Sequence, residues 1–155
     1  MFQLKSLPKQ LSRLQALSLF ALLNARELRL VDGLLHERDY LAGEVIIDAD
    51  EEGHAIYIVF SGKIVISKLG AEHEVVAELG PGTFFGEMAL LDNAKRSGQA
   101  RAQEPSHLGV LFRTDFLSLL ETDARTASKV AMQLARHLGR RLRKATFGDP
   151  AEEHL

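Results

Sequence analysis

The most constraining feature of this sequence is a series of short apolar segments, rich in Val and Ile, that runs from about residue 36 to residue 112. The segments are EVIID, HAIYIVF, KIVISKL, EVVAEL and HLGVLF, each five to seven residues long. The breaks between them contain Gly, Asp or Ser, which are typical of turns. Segments this short and this evenly spaced favour strands in a sandwich or barrel. The Ser61-Gly62 pair lies between two of them and predicts a tight hairpin, because Gly supplies the positive φ of such turns.

Helical spacing of apolar residues flanks this β region on both sides. From about residue 9 to residue 35, Asn24 followed three residues later by Glu27 has the spacing of a capping box at the start of a helix. From about residue 114 to residue 146 we expect a short helix capped by Thr114 or Asp115, and then a longer helix capped by Asp123. The apolar stripe of that helix consists of Ala127, Ala131, Leu134, Leu138 and Leu142. We expect this stripe to pack either on the β region or, across a two-fold axis, on a second copy of the chain.

Composition limits the classes of protein to which the chain can belong. At 155 residues, with 46% apolar and 26% charged residues, it is expected to form one globular domain with its own core. A formal net charge of −2 provides no overall attraction for nucleic acid, and the lack of cysteine excludes disulfides and thiolate ligands. No segment has the apolar core of a signal peptide or the length of a membrane span. The sequence therefore predicts a soluble, cytoplasmic α+β domain over residues 1–147, in which helices flank a β-roll, followed by a flexible tail over residues 148–155.

The segment FFGEMALLDNAKRSG contains an acid, a cation and several small residues within fifteen positions. Gly86 has no Cβ to obstruct the approach of a ligand to the backbone, and a helical turn over the following Ala-Leu-Leu run would direct amide N–H groups at an anion. Arg96 and Ser97 offer a guanidinium, a hydroxyl and a further N–H to phosphate oxygens. Glu87 can accept hydrogen bonds from ribose hydroxyls. The alternative that spacing leaves open is a buried Glu87–Arg96 ion pair that fixes a loop to the β-roll.

Three motifs of the sequence resemble those of the cyclic nucleotide-binding domain family, and the resemblance extends over roughly residues 19–142. They are LAGEVII, AIYIVFSGKIVI and LGPGTFFGEMALLDNAKRSGQARA, the last of which matches the family's phosphate-binding cassette. The resemblance implies an antiparallel β-roll, also called a double-stranded β-helix or jelly roll, flanked by N-terminal and C-terminal helices. It also implies that Glu87 binds the ribose 2′-hydroxyl of a cyclic nucleotide and that Arg96 pairs with its cyclic phosphate. The further ligand-binding candidates are Gly86, Met88, Ala89 and Ser97, and the base-side candidates on the last helix are Arg140 and Arg141.

Two residues that follow Arg96 bear on the choice of ligand and on whether a ligand binds. Gln99 stands where some family members carry a hydroxyl that favours the guanine nucleotide. Because this hydroxyl is replaced here, we expect cAMP rather than cGMP. Gly98 stands where family members often carry Ala. We expect a stand-alone sensor that moves its C-terminal helices on binding and regulates an effector protein. The alternative is a degenerate domain that binds no nucleotide and acts as an interaction or dimerisation scaffold.

The resemblance also limits the partners of the chain, which ends where transcription factors of the family continue into a helix-turn-helix. We therefore expect no specific DNA binding and no membrane partner, while the last helix provides a surface for a homodimer. The basic run ARHLGRRLRKA in that helix is expected to form a solvated face rather than a nucleic-acid site.

Enzymatic alternatives have little support in the sequence. The six histidines form neither an HxH nor an HExxH arrangement, so a metal-dependent cupin, which is another β-roll class, is disfavoured. No GxSxG motif is present either. We expect a binding protein rather than an enzyme, without a metal or a cofactor.

Overall fold

The structure is a computed structural model that describes residues 7–48, 54–68, 70–91 and 98–148. The helices in these ranges are α1 (Lys9–Gln15), α2 (Ala25–Leu34), α3 (Arg113–Thr122) and α4 (Ala124–Phe147). The strands are β1 (His36–Tyr40), β2 (Val45–Ile47), β3 (Ala55–Ser61), β4 (Ile64–Lys68), β5 (Ala71–Leu79), β6 (Phe84–Phe85), β7 (Gly98–Ala102) and β8 (Ser106–Phe112). Short 3-10 helices lie at Ser18–Phe20 and Glu87–Leu90. Of the described helices, none has both the length and the apolar character needed to cross a membrane. The predicted tail beyond Gly148 lies outside the described residues.

Within these ranges the strands form two four-stranded sheets, in the orders β1-β8-β3-β6 and β2-β7-β4-β5. The paired strands are antiparallel. One core cluster joins the two sheets and consists of Ile47, Val59, Ile64, Phe85, Ala100, Ala102 and Leu108. A second cluster joins the helices to β3 and β8, with Phe20, Leu28, Ile56, Leu111 and Leu134 among its members. The predicted antiparallel β-roll with helices at both ends is confirmed.

The Ser61-Gly62 pair does not form the predicted hairpin. Strand β3 pairs with β6 and β8, whereas β4 pairs with β5 and β7, so the two strands lie in different sheets. Gly62 has a φ of 98°, and a Cβ built on it would lie 2.5 Å from the Cα of Ser106. Glycine is therefore required for both a positive φ and a close approach. The prediction of a hairpin was wrong because the turn transfers the chain from one sheet to the other.

The helix caps predicted at Asn24 and Asp123 are present, whereas the cap predicted at Thr114 or Asp115 was wrong, because α3 already begins at Arg113 and has no side-chain cap. Asn24 Oδ1 accepts a hydrogen bond from the Glu27 N–H at 2.9 Å, and the Glu27 carboxylate accepts one from the Asn24 N–H at 3.0 Å. Asp123 Oδ1 accepts from the Thr126 N–H at 3.2 Å. Glu27, which is fully buried, also accepts from Thr126 Oγ1 at 3.2 Å and from Lys129 Nζ at 2.6 Å. The Glu27 carboxylate therefore links α2 to the start of α4 through hydrogen bonds.

The apolar stripe of α4 is buried over its first part and exposed near its end. Ala127 and Leu134 are 0% and 2% exposed, and Leu138 packs, partly buried, against the same core cluster. Leu142 is 68% exposed, and every residue over the range 140–147 is exposed. The first part of the stripe thus packs on the β-roll, as one of the two alternatives predicted, while the last two turns extend beyond it.

Candidate functional site

A cavity of about 810 Å³ lies where the second sheet, the 3-10 helix Glu87–Leu90 and α4 meet. Its apolar walls include Ile47, Ile66, Val76, Leu79, Phe84 and Phe85. The polar residues of its lining are Ser18, Thr83, Glu87, Gln99, His137 and Arg141, and Met88 lines it as well. Ligand pockets have volumes of about 300–1,000 Å³ and combine apolar walls with a few polar groups. The cavity therefore has the size and composition of a site for a small organic ligand.

Gly86 lies at the edge of this cavity, where the chain turns from β6 into the 3-10 helix. Its φ of 79° lies in the left-handed region that favours glycine, and it separates β6 from the 3-10 helix. The 3-10 helix begins at Glu87, so the predicted Ala-Leu-Leu turn starts two residues earlier than expected. Met88 is 52% exposed and lines the cavity, and the backbone of Ala89 belongs to the same helix. The structure thus brings Gly86, Glu87 and Met88 together on the cavity wall.

The Glu87 carboxylate is paired with a cation from the far end of the chain. Glu87 is only 5% exposed, and its Oε1 accepts a hydrogen bond from Nη1 of Arg141 on α4. Within the described ranges, Arg141 is the only side chain that bonds this carboxylate. The sequence predicted both residues as ligand-binding candidates but did not predict that they pair. The alternative Glu87–Arg96 pair stays a prediction, because Arg96 and Ser97 lie outside the described residues.

The two base-side candidates on α4 have different positions. Arg141 lines the cavity, whereas Arg140 lines a separate surface groove together with Arg136, Gly139 and Arg143. Successive residues of an α-helix point about 100° apart, so neighbouring side chains face different surroundings. Of the two arginines, the structure brings Arg141 to the cavity and directs Arg140 to the groove.

His137 is a cavity residue that the sequence did not single out. Its ring centroid lies 4.5 Å from that of Phe84, and both rings line the cavity. Burial lowers the pKa of His137 below its ordinary value; the Glu87 carboxylate opposes this shift, and the cations of Arg141 and Arg140 add to it. The spacing of His137 and Arg141, four residues apart on one helix, was the available signal that both face the same site.

Comparison with known proteins identifies the family of this chain. Residues 37–123, more than half of the chain, match the family model described as Cyclic nucleotide-binding domain. The chain belongs to this family. The matched range runs from β1 to the end of α3 and contains Gly86, Glu87 and Arg96. The resemblance of the three sequence motifs is thereby confirmed.

Relatives of the cyclic nucleotide-binding domain family match most of this chain. It is 41% identical over 129 residues to the Cyclic AMP receptor protein of Thermus thermophilus, a match that covers 82% of this chain and 58% of the relative. It is 38% identical over 118 residues to a cAMP-dependent protein kinase regulatory subunit of Yarrowia lipolytica, covering 76% of this chain and 30% of the relative. The crystal structure of the Thermus thermophilus Catabolite Activator Protein matches with a TM-score of 0.73 and 40% identity, covering 83% of this chain and 60% of that one. The chain thus spans less than two thirds of the length of each of these relatives.

The structure gives a packing reason for Gly98 and for Gln99, the two residues on which the expected choice of ligand and the non-binding alternative depended. A Cβ on Gly98 would lie 2.5 Å from the carbonyl oxygen of Ser67, so glycine allows β7 to approach β4 closely. Gln99 is 5% exposed; its Nε2 donates to Asp48 Oδ1 at 3.1 Å, and its Oε1 accepts from Arg101 Nη2 at 3.3 Å. Both residues are therefore fixed parts of the cavity wall.

The polar groups of the cavity are suited to binding through hydrogen bonds and charge. Over the ranges that the structure describes, no three His, Asp or Glu side chains converge in a way that could hold a metal ion. The Glu87 carboxylate can accept hydrogen bonds from hydroxyls, and the Phe84 and His137 rings in the cavity wall can contact an aromatic group. A ligand with hydroxyls at one end and an aromatic base at the other would use both features.

Proposed function

We propose that this protein is a cytoplasmic sensor of a cyclic nucleotide, with cAMP favoured over cGMP. The observation that carries the proposal is the Glu87 carboxylate, buried on the wall of a cavity of about 810 Å³ in a member of the cyclic nucleotide-binding domain family. The preference for cAMP is supported by Gln99, which stands in place of a hydroxyl, and by relatives whose names refer to cyclic AMP.

The proposed roles follow the chemistry of each group. Glu87 accepts a hydrogen bond from the ribose 2′-hydroxyl, and Arg96 neutralises the cyclic phosphate. Gly86, Ala89 and Ser97 contribute main-chain N–H groups or a hydroxyl, and Met88 covers the ligand from the rim of the cavity. Arg96 and Ser97 directly precede Gly98 in the sequence, and Gly98 is a cavity residue.

The proposed output is a change in the position of α4, which reaches the cavity through His137 and Arg141. A ligand that binds one position of this helix more tightly than another shifts the population toward that position. The change would be read by an effector protein. A homodimer through α4 is supported by two apolar side chains near its end, Leu142 and Phe147, which are 68% and 71% exposed.

The experiment that tests this function is calorimetric titration of cAMP, and then of cGMP, into protein refolded to remove any co-purified ligand. Arg96→Ala should weaken cAMP binding by about 10- to 100-fold, because a hydrogen bond to a charged group contributes about 1.5–3 kcal/mol. The matched control is Arg125→Ala, which removes an exposed arginine at the start of α4, outside the cavity lining.

Binding by the wild type and the control, lost or strongly weakened in Arg96→Ala, would support the sensor. Equal affinities in all three proteins would exclude Arg96 as the phosphate ligand. No heat and no change in melting temperature with either nucleotide would exclude the sensor and support the non-binding scaffold.

A further inference from the structure

The second half of α4 has a positively charged groove on its surface, outside the cavity. The groove, of about 380 Å³, is lined by Ala135, Arg136, Gly139, Arg140 and Arg143. Its three arginines are exposed, and Gly139 has no heavy atom within 4 Å of the position of a Cβ. The groove is therefore an open space bordered by three guanidinium groups, to which an anion has access.

The three arginines lie on one stripe of the helix and repel one another. Arg136 and Arg140 are four residues apart, and Arg140 and Arg143 are three apart, so their side chains are neighbours on the helix surface. Like charges at this spacing destabilise a helix. In the part of the chain that the structure describes, no carboxylate bonds any of the three, and Arg136 donates to the neutral Gln133 Oε1 at 2.8 Å. An anion from outside the described residues would offset this repulsion.

The residues that follow α4 in the sequence have the complementary charge. Residues 149–155, which lie outside the described ranges, have the sequence DPAEEHL and include three acids, Asp149, Glu152 and Glu153. A short segment joined directly to a site meets it at an effective concentration in the millimolar range. These acids are therefore favoured over free anions of equal affinity as occupants of the groove.

The length of this segment allows its acids to reach the groove. The helix ends at Gly148, whose φ of 85° lies in the region that favours glycine. Glu152 and Glu153 are four and five residues beyond Gly148, a span of up to about 13–18 Å. Arg143 and Arg140 precede it by five and eight helical residues, or about 7.5 and 12 Å. Both glutamates can thus lie beside these arginines if the segment runs back along the helix.

We propose that the acidic segment 149–155 binds in the arginine groove of α4 in the same chain, where Glu152 and Glu153 pair with Arg140 and Arg143. This inference goes beyond the proposed function, because it requires no nucleotide and concerns a face of α4 outside the cavity. The bound segment covers the groove, so an acidic surface of another protein must displace it in order to bind there. Because the pairs are exposed to solvent, each is weak and sensitive to salt.

The test is paramagnetic relaxation enhancement in the nucleotide-free full chain. The chain has no cysteine, so Leu155→Cys provides a single attachment point for a nitroxide label. A segment bound in the groove brings the label back along α4, so the amide signals of residues 132–137 should broaden. A segment that extends away from the end of the helix keeps the label far from them. Glu152→Gln combined with Glu153→Gln should reduce the broadening several-fold.

The groove is tested by a second charge variant and a matched control, both with the same label. Arg140→Gln combined with Arg143→Gln should also reduce the broadening several-fold. The control combines Arg29→Gln with Arg125→Gln, which removes two exposed arginines outside the groove and should leave the broadening unchanged. In the wild-type background, the broadening should decrease between about 0.01 M and about 1 M salt, since the screening length falls from about 30 Å to about 3 Å.

Broadening of residues 132–137 that is reduced in both charge variants and at high salt would support the bound segment. No broadening in the wild-type background, or equal broadening in either charge variant, would overturn it. A mixture of labelled protein with isotope-enriched, unlabelled protein shows which molecule holds the segment. Broadening in the enriched molecules would place the segment in the groove of a second copy and overturn binding within one chain. All these measurements are made without nucleotide, so the titration with cAMP tests the proposed function separately.

Discussion

At the scale of the residue, Glu27 is a buried charge whose desolvation is offset by hydrogen bonds. It is fully buried and accepts hydrogen bonds from the Asn24 N–H, the Thr126 hydroxyl and the Lys129 ammonium. Burial by itself raises the pKa of Glu27, but the bonds from Asn24, Lys129 and Thr126 outweigh it and hold the pKa below its ordinary value of 4.5. The ionised form is therefore part of the stable fold.

Glu27→Gln should lower the free energy of unfolding by about 1–3 kcal/mol near pH 7, because it leaves Lys129 without its anion. Since the pKa of Glu27 is lowered in the folded state, its stabilising effect is present above 4.5 and is lost as the pH falls from 4.5 through the folded-state value. The measurement is urea unfolding at several pH values, with Glu121→Gln, an exposed acid on α3, as the control. A difference between wild type and Glu27→Gln that stays constant down to about pH 3 would contradict this assignment of the charge.

The pairings of single side chains were the part of the site that the sequence predicted least. The residue types FGE and the motif around them predicted Glu87 as a ligand-binding residue, and the structure brings Glu87 to a cavity. Its bond to Arg141 joins two residues that are distant in sequence, and no local pattern specifies such a contact. The same holds for His107, whose ring nitrogens bond Asp39 and Glu37 at 2.7 and 3.2 Å on the neighbouring strand β1. Only the register of β8 on β1 brings these groups together.

At the scale of the element, β7 and α4 each contain a glycine, and the two glycines have opposite consequences. Gly98 in β7 lies where a Cβ would come within 2.5 Å of the Ser67 carbonyl oxygen on β4. Gly139 in α4 has no heavy atom within 4 Å of the position of a Cβ. The methyl group of an alanine would therefore clash with backbone at position 98 but would lie in open space at position 139.

Gly98→Ala should lower the free energy of unfolding by about 1–3 kcal/mol, because the strands must separate to admit the methyl group. Gly139→Ala should raise it by about 0.5–1 kcal/mol, because alanine is the better residue in a helix interior. Thermal unfolding of the two variants beside wild type measures both effects. Equal destabilisation by both would mean that the space around Gly139 is not free; no effect of Gly98→Ala would mean that β7 and β4 can move apart without cost.

The elements themselves were largely predictable, and their pairing was not. Asn24 and Asp123 cap helices as their types and spacing indicated, because a cap is decided within four residues. The Val- and Ile-rich segments form strands for a similar local reason. The change of sheet at Gly62 depends instead on the distant pairing of β3 with β8, so a local turn signal could not distinguish it from a hairpin.

At the scale of the whole molecule, α4 is attached unequally along its length. Its start is fixed by Glu27 through Thr126 and Lys129, and its middle packs on the core through Leu134. Its end has the bond from Arg141 to Glu87, on the cavity wall. A ligand in the cavity would therefore contact the part of the helix that has the fewest attachments to the rest of the domain.

The proposed homodimer would use that exposed surface. Leu142 and Phe147 expose 68% and 71% of their surface on the last turns of α4, and burying a leucine contributes about 1.5–3 kcal/mol. In a two-fold interface each substitution acts twice, so Leu142→Asp should weaken dimerisation by about a hundredfold or more. Light scattering after size-exclusion chromatography over a range of concentrations measures this, with Leu117→Asp on α3, 43% exposed, as the control.

Salt provides an independent test of the same surface, because the end of α4 is basic as well as apolar. Arg140, Arg141, Arg143 and Lys144 lie beside Leu142, so two copies of this helix repel each other through their charges. Added salt screens that repulsion over about 8–10 Å at moderate ionic strength, so the proposed dimer should become tighter as salt increases. A dimer that is disrupted equally by Leu117→Asp and Leu142→Asp, or that dissociates as salt is added, would place the interface elsewhere. A protein that remains monomeric at all concentrations and salt levels would exclude the proposed homodimer through Leu142 and Phe147, and the proposed effector protein would be the next candidate partner to test on this surface.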